Sequence, residues 1–203
     1  MKTTLGLIAV AGLASAAAAG GASLSIVASA ATVDTTGASA TVTLAVYGDA
    51  VGTAIAGGEF ALTASGGAGL VSDMTGAAAA WGALGGQDNG HAGDGNYNGL
   101  IFGQLIFPPF INPAAESMLG NGPVLLGNIT VTIAADTSGV IDWSTAAGAG
   151  DFILEVFTDD GAAGIFEQLT AVSHGSASVN VVPAPSAMAL LGLGGLVAGR
   201  RRR

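Results

Sequence analysis

The sequence predicts an all-β protein, built as an antiparallel β-sandwich with jelly-roll or Greek-key connections. Short segments with alternating apolar and polar residues recur through the middle of the chain, which is the period expected of strands with one buried face. Glycine-containing turn signals separate these segments, and helical periodicity is weak. Seven to ten short strands joined by tight turns are typical of a sandwich.

The clearest strand signal is Ala40–Tyr47, in which valine and leucine occupy one face while the threonines and the tyrosine occupy the other. The same alternation appears over Asn128–Ile133 and Ser176–Val181. Shorter signals extend the set, at Leu24–Val27, at Phe60 and Leu62, and at Phe152, Leu154 and Val156.

The turn signals lie at Gly57-Gly58, Gly66-Gly67, Asp136–Gly139 and Asp159–Gly161. One short helix is predicted over Pro113–Leu119. The segment Met74–Leu84 is rich in alanine but contains Gly76, so helix and strand both stay open there. No internal period between about 9 and 50 residues is present, which argues against a solenoid.

Charge is distributed very unevenly. All 14 Asp and Glu residues lie between Asp34 and Glu167, and no Lys or Arg occurs from position 3 to position 199. Nucleic acid is therefore excluded as a partner, because its phosphates require basic contacts. Salt bridges to Lys or Arg are excluded from the same region, so we expect most carboxylates to be solvated and to keep an apolar chain soluble. The absence of cysteine excludes disulfides and thiol catalysis.

The N-terminus predicts export. Residues 1–19 combine a positive charge at Lys2, an apolar run from Leu5 to Ala14, and small residues that fit signal-peptidase cleavage at Ala14-Ser15-Ala16 or Ala17-Ala18-Ala19. The mature domain is then residues 20–182.

The C-terminal segment, residues 183–203, has a different character. Its apolar stretch of 13 residues over 187–199 would form a helix of about 20 Å, shorter than the ~30 Å hydrocarbon core. The bulky members of this membrane helix are Leu190, Leu191, Leu193, Leu196 and Val197. A cytoplasmic stop follows in Arg200, Arg201, Arg202 and Arg203. We expect a transient inner-membrane intermediate, and an ordinary tail anchor is the alternative.

Val182, Pro183, Ala184, Pro185 and Ser186, followed by the apolar helix and the arginine cluster, resemble the PEP-CTERM sorting signal of Gram-negative bacteria. The resemblance implies recognition by an exosortase-type membrane peptidase, cleavage near the Pro-x-Pro motif, and delivery to the cell surface or extracellular matrix. Ala184 stands where that family most often has Glu.

The opening of the domain, residues 23–49, resembles cohesin-like and carbohydrate-binding sandwiches in its pattern. That resemblance implies a binding or structural module with no catalytic activity.

The most suggestive polar stretch is Gly85–Gly99. Asp94, Asn96 and Asn98, followed by Gly99, match the first half of a calcium-binding loop, and Asp88 is a further candidate ligand. The second half does not match, because Leu105 occupies the position of the bidentate Glu. A calcium site and a flexible polar loop are the two interpretations.

Other chemistry has weaker support. His91 and His174 are 83 positions apart, and no nucleophile-elbow motif occurs. Carboxylate pairs for glycoside hydrolysis could come from Asp142, Asp151, Glu155, Asp159 and Asp160. A sugar-stacking platform could come from Trp81, Trp143, Tyr47 and Tyr97, although core or rim positions are the expected places for both tryptophans.

The sequence thus predicts an exported, non-enzymatic protein of the cell surface or extracellular matrix, without a cofactor. The alternative is a carbohydrate-binding or cohesin-like adhesion module, with calcium in the Asp88–Gly99 loop and with polysaccharide or matrix components as partners. An exported hydrolase is the third class.

Overall fold

The computed structural model describes residues 22–50, 54–103, 122–148, 153–158 and 165–182. These residues form thirteen strands and two short 3-10 helices, Ala68–Leu70 and Ala80–Gly85. The strands are β1 (Ala22–Ala28), β2 (Thr32–Asp34), β3 (Ala40–Ala50), β4 (Ala54–Ser65), β5 (Val71–Ala78), β6 (Gln87–Asp88), β7 (Tyr97–Gly103), β8 (Val124–Ile133), β9 (Gly139–Ala147), β10 (Leu154–Thr158), β11 (Ile165–Leu169), β12 (Val172–Ser173) and β13 (Ser176–Val182).

The strands form two sheets around one core. The first sheet has five strands in the order β12-β1-β3-β8-β5. The second has eight: β11-β10-β4-β9-β13-β2 form its path, and β7 and β6 continue it from the other edge of β4. The all-β sandwich is therefore confirmed. The strand count exceeds the prediction because several strands are only two or three residues long.

The core follows the predicted alternation. Val42, Leu44 and Val46 of β3 face inward with at most 1% of their surface exposed, and the alternate residues face solvent. Strand β8 repeats the pattern with Ile129, Val131 and Ile133, which are fully buried. Each such side chain contributes about 1.5–3 kcal/mol by leaving water, so burial accounts for the register of both strands.

Strand β4 departs from alternation because both of its faces are covered. Residues 54–62 are all buried. The turn predicted at Gly57-Gly58 is wrong: both glycines lie within β4. A Cβ at Gly58 would meet the carbonyl oxygen of Ile153 and lie 2.8 Å from the Phe102 ring, so glycine here permits close packing of strands.

Two other predicted turns are confirmed. Gly66 and Gly67 have φ of +77° and +60°, as a tight connection between β4 and β5 requires. Asp136 has φ of 56° between β8 and β9, and its Oδ1 accepts a hydrogen bond of 2.8 Å from the Gly37 amide. The predicted turn at Asp159–Gly161 lies outside the described residues.

The segment Met74–Leu84, for which the sequence allows either a helix or a strand, is divided between the end of β5 and the 3-10 helix Ala80–Gly85. The helix predicted over Pro113–Leu119, the signal peptide and the sorting tail all lie outside the described residues. Within the described ranges, no helix is long and apolar enough to cross a membrane.

The sequence predicted a wholly antiparallel sandwich, and this is wrong for two strand pairs, which are parallel. Strand β1 continues into β2 and strand β12 into β13, and each of these paths passes from the first sheet to the second. The two paths run side by side, so β1 pairs with β12 and β2 pairs with β13 in parallel.

Candidate functional site

The polar loop at residues 86–99 is fixed to the second sheet. The Oδ1 of Asn96 accepts a 2.7 Å hydrogen bond from the Ala64 amide at the end of β4. The indole nitrogen of Trp143, on β9, donates a 3.1 Å hydrogen bond to the carbonyl of Gly95. Trp143 is fully buried, so this bond ties the loop to the core. The loop is polar, but it is held at both of these points.

Asp88 joins this loop to the first sheet. Its Oδ1 accepts hydrogen bonds from the Tyr97 hydroxyl at 2.5 Å and the Gly90 amide at 2.9 Å, and its Oδ2 accepts one from the Gly76 amide at 2.9 Å. Partial burial raises the pKa of Asp88, but the three hydrogen bonds together outweigh it and hold the pKa below its usual value. The carboxylate therefore stays ionised and serves as the acceptor for three donors.

Tyr97 is the buried partner of that carboxylate. Only 1% of its surface is exposed. Burial, followed by the hydrogen bond and the charge of Asp88, raises the pKa of the Tyr97 phenol far above its usual value. The neutral phenol thus donates to the ionised carboxylate.

Two of the candidate calcium ligands, Asp94 and Asn98, have polar atoms turned toward their own loop. The Oδ1 of Asp94 accepts from the Asn96 amide at 3.1 Å, and the side-chain amide of Asn98 donates to the Asn89 carbonyl at 3.2 Å. Among the described residues, no group of three or more His, Asp or Glu side chains is arranged to hold a metal ion. Calcium binding at Asp88, Asp94, Asn96 and Asn98 stays a prediction.

Glu59 is an exception to the expected solvation of most carboxylates, since only 4% of its surface is exposed. It lies on β4 on the face opposite the inward-facing Phe60, which alternation alone assigns to solvent. Asn89 donates to its Oε1 at 3.5 Å, and a Cβ on either Gly99 or Gly148 would collide with the Glu59 side chain. These neighbouring glycines are the one sequence signal that could have indicated its burial.

The carboxylates considered for glycoside hydrolysis are not brought together within the described residues. Asp142 pairs with Ser65 and Glu155 pairs with Gly57, eight residues away along β4. At 3.2–3.4 Å per residue this is about 26 Å, well beyond the separation that either hydrolytic mechanism uses. Asp142 instead accepts a hydrogen bond from the neighbouring Ser178 hydroxyl. The remaining candidates, Asp151, Asp159 and Asp160, lie outside the described residues.

The two histidines also serve local structure. The Nε2 of His91 accepts from the Gly95 amide at 3.0 Å. The Nδ1 of His174 lies 3.1 Å from the hydroxyl of Thr145, and partial burial lowers the pKa of this imidazole.

The prediction of a sugar-stacking platform is wrong for two of its four residues, Trp143 and Tyr97. Trp143 and Tyr97 have 0% and 1% of their surfaces exposed, so neither ring can stack on a sugar. Trp81 is half-buried; its indole donates to the Leu125 carbonyl at 2.7 Å, and its ring packs edge-on against Phe102 at 5.8 Å.

The outer face of the five-stranded sheet presents apolar and hydroxyl side chains in adjacent rows across four strands. Its central rows are short and largely apolar: Ala77, Asn128, Ala45 and Val27 are in register, and Leu125, Tyr47 and Ser25 lie beside them. Two hydroxyl rows lie on one side of them, made of Thr75, Thr130 and Thr43 and of Thr132 and Thr41, with Asp73 at the margin, and Ser23 and Asp49 are in register on the other side. Val27 is 39% exposed, which is unusual for a large apolar side chain here. We call this surface the β3 face.

No protein-family model matches the chain, and no curated protein matches it. Solved structures similar to it include a chain of the CaDoc0917–CaCohA2 complex, with 15% identity over 79% of this chain and 99% of that one and a TM-score of 0.44. A type III cohesin module from the cellulosomal ScaE cell-surface anchoring scaffoldin of Ruminococcus flavefaciens is also similar, with 11% identity over 81% of this chain and 89% of that one and a TM-score of 0.44. At these values neither neighbour bears on the activity of this chain.

Proposed function

We propose that the chain is an exported, non-enzymatic adhesion module that binds a protein partner through the β3 face. The observation that carries this proposal is the distribution of side chains on that face. An apolar centre around Ala45, Val27 and Tyr47 is bordered by rows of threonine hydroxyls on one side and by Ser23 and Asp49 on the other, which is the arrangement of a protein interface with an apolar core and a polar rim.

The charge of the chain specifies the partner's chemistry. Asp73 and Asp49 lie at opposite margins of the β3 face, and the chain offers no Lys or Arg from position 3 to position 199. A partner whose rim carries basic residues would complement both margins, whereas an acidic partner would be repelled. The expected occupant is therefore a protein with an apolar patch and basic residues around it.

Export and sorting belong to the same proposal. The signal peptide would be removed just before β1, which begins at Ala22, and the sorting motif begins at Val182, the final residue of β13. An exosortase-type peptidase would act on the tail at the inner membrane, and the domain would reach the cell surface or matrix.

The binding proposal is tested with a pair of matched substitutions. Thr130→Arg places a cation on an exposed position of the hydroxyl row next to the apolar centre of the β3 face, and Thr63→Arg places the same cation on an exposed strand position of the other sheet. The measurement is retention of each purified protein on the native host's surface and matrix fraction, before and after protease treatment of that fraction.

We expect protease treatment to abolish retention, and Thr130→Arg to weaken it about tenfold or more while Thr63→Arg leaves it unchanged. Equal effects of the two substitutions would overturn the assignment of the face. Retention that survives protease but is lost after polysaccharide digestion would replace the protein partner with the carbohydrate-binding alternative.

Sorting is tested by the C-terminal mass of the mature protein recovered from its native host. A terminus near Pro185 is expected if the tail is cleaved. A terminus at Arg203 would show a retained tail and would remove the sorting part of the proposal while leaving the binding part intact.

A further inference from the structure

The two ends of the domain lie at opposite ends of the sandwich. Ala22 begins β1 beside Val172, the first residue of β12. From there the two paths run in parallel, and they finish side by side where Val182 of β13 pairs with Asp34 of β2. A pull on the chain termini is therefore directed along the strands.

Both terminal strands are interior strands of their sheets. Strand β1 lies between β12 and β3, and strand β13 lies between β9 and β2. Each is paired over nearly its whole length, β1 through seven residue pairs with β3 and β13 through six with β9. On their other edges, β12 covers only Ala22 and Ser23 of β1, and β2 covers only residues 180–182 of β13, so the pairings with β3 and β9 carry most of the load.

The hydrogen bonds of these pairings lie across the pulling direction. Backbone bonds between strands run roughly perpendicular to them, so tension along β1 or β13 loads the whole ladder at once. Tension applied across the strands at one end would instead break the bonds one after another.

Further contacts hold the two paths together at their ends. The Ser173 hydroxyl donates to the Ala22 carbonyl at 3.3 Å where the paths begin. The Asn180 amide donates to the Ala31 carbonyl at 2.9 Å and the Thr35 amide to the Val182 carbonyl at 3.2 Å where they finish. Between these points Gly175 lies against the backbone of β1, where a Cβ would be 2.8 Å from the Leu24 carbonyl.

Sliding β13 would also disturb the core. Val179 and Val181 project from this strand with at most 1% of their surfaces exposed, so moving it along its axis drags two fully packed side chains past their neighbours.

We propose that the paired terminal strands form a mechanical clamp, which lets the domain bear tension between its C-terminal end and a partner bound on the β3 face. This inference deepens the proposed function and relies on it for the source of the tension. An adhesion module that is anchored by one end and bound elsewhere is loaded whenever its partner moves.

Because the chain contains no cysteine, two engineered cysteines define a single pulling direction in the full-length protein. Ser23→Cys with Asn180→Cys places the handles near opposite ends of the two paths. Ser23→Cys with Asp49→Cys places them on directly opposed residues of β1 and β3, which pulls across the strands. The measurement is rupture force at one loading rate by single-molecule force spectroscopy, after both variants have been shown to melt like the parent chain.

We expect the Ser23/Asn180 pair to rupture at a force at least about twofold higher than the Ser23/Asp49 pair. Handles fused to the two termini give a second measurement along the strands that needs no substitution, and it should agree with the first pair. Equal or lower forces along the strands would overturn the clamp. The assay uses the purified chain alone, so its failure is distinct from a failure of partner binding or of tail cleavage.

Discussion

At the scale of single residues, the phenol of Tyr97 helps to hold the Asp88 carboxylate, which attaches the polar loop to the first sheet. Its hydroxyl donates to Asp88, which also accepts from the Gly76 amide of β5. We expect Tyr97→Phe to destabilise the protein by about 1–2 kcal/mol, because a hydrogen bond to a charged acceptor is lost while the ring stays packed. Urea unfolding at neutral pH measures the difference.

The same residue predicts behaviour at high pH. The Tyr97 pKa is raised in the folded state above its ordinary value of 10.0, so stability is complete below pH 10 and falls as the pH rises further, where only the unfolded chain loses the proton. Thermal melts between pH 9 and 11 should show this loss in the parent chain and a smaller one in Tyr97→Phe. Equal slopes in the two proteins would refute the assignment to Tyr97.

His174 predicts the opposite direction near neutrality. Partial burial lowers its pKa below the ordinary 6.5, so the unfolded chain binds the proton first as the pH falls. Stability should therefore decrease as the pH falls below 6.5, by a small amount because the ring is largely exposed. His174→Gln should flatten the midpoint of thermal unfolding across this window, and an unchanged profile would show that other groups set it.

At the scale of elements, the sequence predicts those strands that have one buried and one solvated face. Segments such as Ala40–Tyr47 and Asn128–Ile133 alternate between apolar and polar residues because their side chains point in turn to the core and to solvent. Both segments are strands in the structure. Strand β9 alternates too, but it is absent from the predicted strands. Strand β7 is also absent from them, because its first residues belong to the predicted polar loop. Strand β4 was predicted only at Phe60 and Leu62, because neither face of residues 54–62 meets solvent and the rest of the strand shows no alternation.

The site was less predictable than the fold for a related reason. Asp88 was recognised as a candidate ligand, but its hydrogen-bond donors come from Tyr97 and from Gly76 on a different strand. The β3 face is assembled from four strands that lie far apart in the chain. Cross-strand register and the passage of two paths between sheets depend on tertiary packing, which one sequence does not display.

Close packing of β5 on Tyr97 gives an element-scale prediction. A Cβ at Gly76 would overlap the Tyr97 hydroxyl, whereas one at Gly69 would have nothing within 4 Å. We expect Gly76→Ala to cost about 1–3 kcal/mol, because Tyr97 or the strand must shift. Gly69→Ala is the matched control and should be near neutral. Urea unfolding of both variants checks this, and a stable Gly76→Ala would mean that β5 moves freely relative to β7.

At the scale of the whole molecule, the domain is held by apolar burial and neutral or charge-assisted hydrogen bonds, with no Lys or Arg from position 3 to position 199 to balance its carboxylates. Several of these carboxylates are used locally: Asp34 accepts from the Thr36 amide, and Asp136 accepts from Gly37. These carboxylates stabilise the turns by accepting hydrogen bonds from backbone amides, but their negative charges still repel one another across the surface.

Salt should consequently stabilise this protein. Raising sodium chloride from 0.01 M to 0.15 M shortens the screening length from about 30 Å to about 8 Å, which weakens repulsion between the carboxylates while leaving no Lys or Arg attraction in the domain to weaken. We expect the melting temperature to rise by a few degrees over this range. A fall in the melting temperature would show that unrecognised attractive charge pairs contribute to the fold.

Calcium chloride at matched ionic strength extends the measurement to the candidate calcium site. A further rise in melting temperature that disappears in Asp94→Asn would support calcium binding at the polar loop. An identical rise in both proteins would count against it.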